Sequence, residues 1–175
     1  LMQPWLCFEW DTMSADYSVP APASLAIRPA NREDEEVVGK VLRTAFSMDS
    51  SWGDISRRLD ESMERFVEEA FDKSRETPSC VVAQHGSRII GVSVMDADPD
   101  SLNHLSSGPM ILHEYRNRGL GSALLAASLN FLRAEGLAKV RGVTRANSTP
   151  ARFIYTKFGS HQVSCAIDPL QVAAR

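Results

Sequence analysis

The residues best suited to chemistry stand together in Arg116-Asn117-Arg118-Gly119-Leu120-Gly121. Two glycines one residue apart allow a tight turn with backbone N–H groups on its inner side. An apolar-periodic segment follows, with Leu120, Leu124, Leu125, Leu129 and Leu132, so the turn opens a long helix. The first amides of that helix lack intrahelical acceptors and sit at the positive end of its dipole. Such a corner cradles a phosphate or diphosphate, and Arg116 and Arg118 add charge for further phosphate oxygens. A plain strand-to-helix turn also needs glycine, but not the flanking arginines.

Other phosphate loops and metal motifs fail on residue type. A Walker loop requires a Lys-Ser/Thr pair after its second glycine, and Ser122-Ala123 follows here. A dinucleotide fingerprint requires a small third residue where Leu124 stands, and an acidic residue ending a second strand. His113-Glu114 opens no zinc motif, because Asn117 occupies the place of the second histidine. Cys7, Cys80 and Cys165 are odd in number and far apart, which argues against a disulfide framework or a zinc pair. Cys80 and Cys165 lie in strand patterns and read as small buried hydrophobes. No metal is expected.

The 175 residues are 43% hydrophobic and 23% charged, with net charge −3 at pH 7, which suits one folded domain and excludes a disordered chain. The acidic balance argues against a nucleic-acid face, and no apolar run reaches membrane-span length. The expectation is an ordinary cytoplasmic domain. Residues 1–24 mix Trp5 and Trp10 with Pro4, Pro20 and Pro22 without sustained periodicity, and they read as a flexible N-terminal extension. The acidic Glu9 and Asp11 do not fit a secretory leader. Residues 25–175 then form the domain. Leu25–Pro29 is a strand, and Asn31 or Asp34 caps a helix bearing Val38, Val41, Leu42, Ala45 and Phe46. A second amphipathic helix carries Ile55, Leu59, Met63, Phe66 and Val67, with Glu61, Glu64, Glu68 and Glu69 on a solvated face. CVVAQ and RIIGVSVM make a hairpin through His85-Gly86-Ser87. SSGPMILH and LAKVRGVT are strands, PARFIYTKF a short helix, and HQVSCAI a last strand. The order β-α-α-β-β-β-α-β-α-β defines α/β architecture with a mixed sheet.

YRNRGLGSALL resembles motif A of the GCN5-related N-acetyltransferase (GNAT) family, an Arg/Gln-x-x-Gly-x-Gly/Ala signature between a strand and a helix. Arg116, Gly119 and Gly121 match it residue by residue. GPMILHEY resembles the preceding strand of that family and ANSTPARFIYTKFG its second motif, so the likeness spans about the last 150 residues. The resemblance implies a mixed, mostly antiparallel central sheet with helices on both faces, and acetyl-coenzyme A as co-substrate. It implies that backbone groups of Ile111, Leu112 and His113 bind the pantetheine arm and acetyl carbonyl. Arg116, Asn117, Arg118, Gly119, Leu120, Gly121, Ser122, Ala123 and Leu124 would hold the diphosphate. Asn147 or Ser148 would touch the pantetheine, and Tyr155 would lie beside the sulfur as general acid. His113 is a candidate base, with His104 and Asp98 as other nearby candidates.

The implied reaction moves an acetyl group to a primary amine of a small molecule or protein. No nucleic acid or membrane partner is implied, while a homodimer is one arrangement in which the family uses its C-terminal sheet edge. That edge departs from the pattern here, with room for one strand after Gly159 where relatives commonly have two. Ser160 also replaces the usual aromatic after that glycine. The acidic ends of Asp49-Ser50-Ser51-Trp52-Gly53-Asp54 fall where the family places its acceptor wall. A non-catalytic coenzyme A sensor on the same fold is the alternative from another class, and a nucleotide-binding α/β domain the third.

Overall fold

The computed structural model describes residues 4–14, 16–49 and 56–165, with the side chains of residues 56 and 57 left aside. The expected contributions of Ile55, of residues 50–54 and of the last two residues of HQVSCAI therefore lie outside the described residues. Among the described residues, seven strands and three helices follow one another. They are β1 Trp5–Asp11, β2 Leu25–Pro29, α1 Glu35–Ser47, α2 Ser56–Ala70, β3 Cys80–His85, β4 Arg88–Val94 and β5 Gly108–Ile111. There follow α3 Leu120–Ala134, β6 Lys139–Arg145 and β7 His161–Val163.

Local chemistry sets most boundaries. Asn31 opens a short turn ahead of α1: its side chain accepts the Glu33 amide at 3.1 Å, and Asp34 returns a carboxylate to the Asn31 amide at 2.8 Å. Gly86 takes φ +59° in the β3–β4 hairpin, and Gly136 takes φ +98° just after α3, where a side chain would be strained. The expected short helix at Pro150 is a single π-helical turn, Pro150–Ile154. Its closing bond runs from the Tyr155 amide to the Pro150 carbonyl at 2.8 Å.

The strands form two antiparallel sheets, one ordered β2-β3-β4-β5 and the other β6-β1-β7. On β4, Gly91 faces Leu124 and Ser93 bonds Ser128, both of α3. The alternate residues Ile90, Val92 and Val94 are fully buried on the other face, where α1 packs. This is the mixed α/β architecture with helices on both faces of the sheet.

The N-terminal segment corrects one expectation. Residues 5–11 are not a flexible extension; they form the middle strand of the second sheet. β1 runs antiparallel to β6 from Trp5 opposite Arg145 to Asp11 opposite Lys139, and its other edge pairs with β7. Cys7, Phe8, Glu9 and Trp10 are all buried. Glu9 is held by Arg141 at 2.9 Å and His161 at 3.4 Å. A central strand buries both faces, so it lacks the apolar-polar alternation that marks a half-exposed strand. Its partners also lie some 130 residues away in the chain.

Candidate functional site

The two sheets part between β5 and β6, which are not paired with each other. Pro109 explains part of this, because a proline has no N–H to offer a neighbouring strand. Below the gap the loop before β5 is stitched to β6. The His104 amide donates to the Arg141 carbonyl at 2.9 Å, and Asn103 accepts the Val143 amide at 3.1 Å. Above that floor opens a cleft of about 530 Å³, lined by Pro109–Ile111, the corner at Gly119, and Thr149 to Lys157.

β5 presents one amide to this cleft. The Leu112 amide donates to the Ile90 carbonyl at 2.9 Å, so alternation along the strand turns the N–H and C=O of Ile111 the other way. The Ile111 carbonyl accordingly meets Arg116 at 3.3 Å. The Leu112 amide is thus spent on β4, and Leu112 itself is buried away from the cleft. His113 begins a short turn, is exposed and lines the cleft.

Past that turn, Asn117 takes φ +63° and Gly119 takes φ +79°, two left-handed residues that bend the chain into a concave corner. The first amide of α3 with a backbone acceptor is that of Ala123, bonded to Gly119 at 3.2 Å. The amides of Leu120, Gly121 and Ser122 therefore remain available at the helix mouth. A Cβ on Gly119 would meet nothing, whereas one on Gly121 would stand 2.6 Å from Ile154. The corner is open in front and tight behind. Asn117, Gly119, Leu120, Gly121 and Ser122 line the cleft, while Ala123 and Leu124 turn into the core.

The arginines are placed differently from the sequence expectation. Arg116 lines the cleft, but its guanidinium ties the end of α1 to β5, donating to the carbonyls of Ala45 at 3.1 Å and Ile111 at 3.3 Å. Arg118 folds back over the Tyr115 ring at 5.3 Å, bonds the Glu114 carbonyl and stays off the cleft. The residue that brings a cation to the helix mouth is Lys157, whose ammonium donates to the Ser122 hydroxyl at 2.6 Å. In the sequence it stands only as one residue of ANSTPARFIYTKFG. Its signal was its place two residues beyond Tyr155.

Tyr155 is 2% exposed yet lines the cleft. Phe8 and Trp10 of β1 meet its ring edge-on, with centroids 5.9 and 5.5 Å away. The Trp10 indole N–H also bonds the Lys157 carbonyl at 2.9 Å, fixing the turn behind the tyrosine. The phenol lies against the start of β5. A Cβ on Gly108, at φ +63°, would stand 2.1 Å from the Tyr155 oxygen. Burial raises the phenol above its ordinary value, so it keeps its proton across the neutral range. Gly108→Ala should displace that oxygen and strain a left-handed residue, lowering stability by roughly 1–3 kcal/mol, as chemical denaturation would show. An unchanged midpoint would contradict the placement.

The remaining candidates lie off the cleft. Asn147 is exposed in the turn after β6, and the buried Ser148 hydroxyl bonds Thr144 at 2.7 Å and accepts the Ala151 amide. Thr149 takes the place on the cleft wall. His104 is buried with its Nδ1 accepting the Arg141 amide at 2.9 Å, and burial lowers its pKa, so it is a neutral structural group. Asp98 is exposed and caps its own loop at Asp100. Of the three base candidates, His113 alone lines the cleft. Among the described residues no cluster of His, Cys, Asp or Glu is arranged to hold a metal ion, and no helix is long and apolar enough to cross a membrane.

The parted sheet, the cleft and the glycine-cornered helix at its mouth together define the framework of the site. Residues 45–160 match the acetyltransferase (GNAT) family model, and the chain belongs to that family. A GCN5-related N-acetyltransferase from Sphaerobacter thermophilus superposes with a TM-score of 0.67 at 17% identity, over 91% of this chain and 48% of its own. A Drosophila protein gives 0.57 at 16% identity, over 92% and 48%. A GCN5-related N-acetyltransferase from Kribbella flavida gives 0.54 at 16% identity, over 91% and 53%. The chain thus spans about half the length of these solved structures, and at such identities the likeness is one of fold. No curated protein matches the chain.

Proposed function

We propose that the protein is an N-acetyltransferase taking an acetyl group from acetyl-coenzyme A to a primary amine. The observation that carries this reading is the coincidence, in one cleft, of uncommitted amides at Leu120–Ser122, a cleft-facing Ile111 amide and a protonated Tyr155. Acetyl-coenzyme A fits the residues present. The concave corner and Lys157 suit a diphosphate, and the unpaired edge of β5 suits an extended amide-bearing arm.

Acetyl-coenzyme A supplies an activated acetyl group. The overall change converts an ammonium ion and a thioester into an amide, a free thiol and one released proton. Within the cleft, the chain holds both reactants side by side, which removes much of the entropic barrier. The cleft-facing Ile111 N–H would serve as donor to the negative charge that develops on the acetyl oxygen. Tyr155 donates its proton to the departing sulfur and recovers one from solvent. His113, exposed at the rim, takes a proton from the incoming ammonium or passes it to water.

Calorimetry and thiol release test the reading together. Acetyl-coenzyme A should bind and raise the melting temperature, ATP and NAD should not, and an amine panel should yield free thiol. Binding without turnover on any amine would favour the sensor, and stabilisation by ATP or NAD a nucleotide-binding domain. Lys157→Gln should weaken acetyl-coenzyme A binding about tenfold while leaving kcat nearly unchanged. Undiminished affinity would remove Lys157 from the diphosphate site.

A further inference from the structure

The cleft is chemically lopsided. Lys157, Arg116 and His113 line it beside the glycine corner. Asn103, Ser106, Ser107 and Thr144 add polar side chains near the floor, whereas one panel of the wall, drawn from elsewhere in the fold, is apolar: Trp5 from β1, Phe46 from α1, and Leu59 and Phe66 from α2. Phe46 and Leu59 are buried in the core, whereas Trp5 and Phe66 are half-buried and contribute side-chain surface to the cavity. Asp49, just past the end of α1, joins this wall and is the one acidic side chain among the described lining residues.

Resting on the N-acetyltransferase reading, we propose that the acceptor is a small primary amine carried on an apolar, ring-sized group. Trp5, Phe46, Leu59 and Phe66 offer the surface on which such a group leaves water. A polyamine or a sugar amine would leave its polar groups against those four side chains without partners. In the transfer the amine nitrogen bonds the acetyl carbon as the carbon–sulfur bond breaks. The ammonium loses two protons in all: one balances the thiol, through Tyr155, and one goes to solvent.

The wall also explains why the N-terminal strand matters to specificity. Trp5 stands opposite Arg145 at the end of β6, where that strand meets the turn leading to Tyr155. β1 thus supplies both a support for the tyrosine and one panel of the acceptor wall.

The full chain should first be titrated with acetyl-coenzyme A by calorimetry, then assayed for thiol release with 2-phenylethylamine, spermidine and lysine amide. We expect kcat/KM for 2-phenylethylamine to exceed that for either hydrophilic amine by about tenfold or more. Phe66→Ala should lower kcat/KM for 2-phenylethylamine by about 10- to 100-fold. Acetyl-coenzyme A affinity in the variant serves as the measure of an intact fold, and it should be kept. If Phe66→Ala loses that affinity, Phe66→Leu replaces it with the same expectation at smaller size. Binding of acetyl-coenzyme A with equal or better turnover of spermidine or lysine amide overturns the acceptor assignment alone, as does indifference to the Phe66 substitution. Failure to bind acetyl-coenzyme A overturns the N-acetyltransferase reading beneath it.

Discussion

Removal of residues 1–12 is expected to abolish the cooperative thermal transition rather than trim a dispensable tail. The deletion takes out the middle strand of the β6-β1-β7 sheet, leaving β7 without its partner and one edge of β6 bare. It also strips Phe8 and Trp10 from the core, each worth about 2–3 kcal/mol of burial. With the lost strand pairing and the Trp10–Lys157 bond, the total approaches the whole stability of a domain this size, about 5–15 kcal/mol. Near-ultraviolet circular dichroism and a melting curve would report the loss. Trp10→Ala alone should cost about 3–5 kcal/mol, the usual toll for a large buried aromatic. A deletion variant with unchanged melting would mean that β1 is not part of the folded core.

The second large effect concerns Tyr155→Phe, which should lower kcat by about 10²–10⁴-fold with little change in acetyl-coenzyme A affinity. The substitution keeps the ring against Phe8 and Trp10 and removes only the proton donor. The pH profile sharpens this prediction. Burial holds the Tyr155 proton on above the ordinary tyrosine range, so loss of that proton should not produce a falling limb between pH 7 and 9. A rising limb in that window reports deprotonation of the amine, and it should persist, scaled down, in the variant. Equal turnover in the variant would take the phenol out of the mechanism.

How much of this was legible in the residues follows from where each signal resides. The glycine corner, the Asn31 cap and the Gly86 hairpin are local, because a positive φ or a capping oxygen shows its need within four residues. Which residues line the cleft was legible to the same depth. Gly119 to Ser122, Ile111, His113 and Tyr155 all line the cleft. Side-chain direction was not legible. Arg116 and Arg118 look like phosphate ligands by charge and position, yet their donors are taken by carbonyls of Ala45, Ile111 and Glu114. Lys157 reaches Ser122 only because the π-helical turn and the Trp10 bond swing it there. β1 was hidden because both its faces are buried and its partners follow more than a hundred residues later.

The account rests on backbone nitrogens at the mouth of α3 receiving a diphosphate. Amide nuclear magnetic resonance during a titration with acetyl-coenzyme A reads those nitrogens directly. The amides of Gly119, Leu120, Gly121, Ser122 and Ile111 should shift the most and saturate together, and pantetheine, which lacks the diphosphate, should leave the first four in place. Saturating acetyl-coenzyme A with these five signals unmoved, or with the largest shifts at the opposite end of α3, would contradict it.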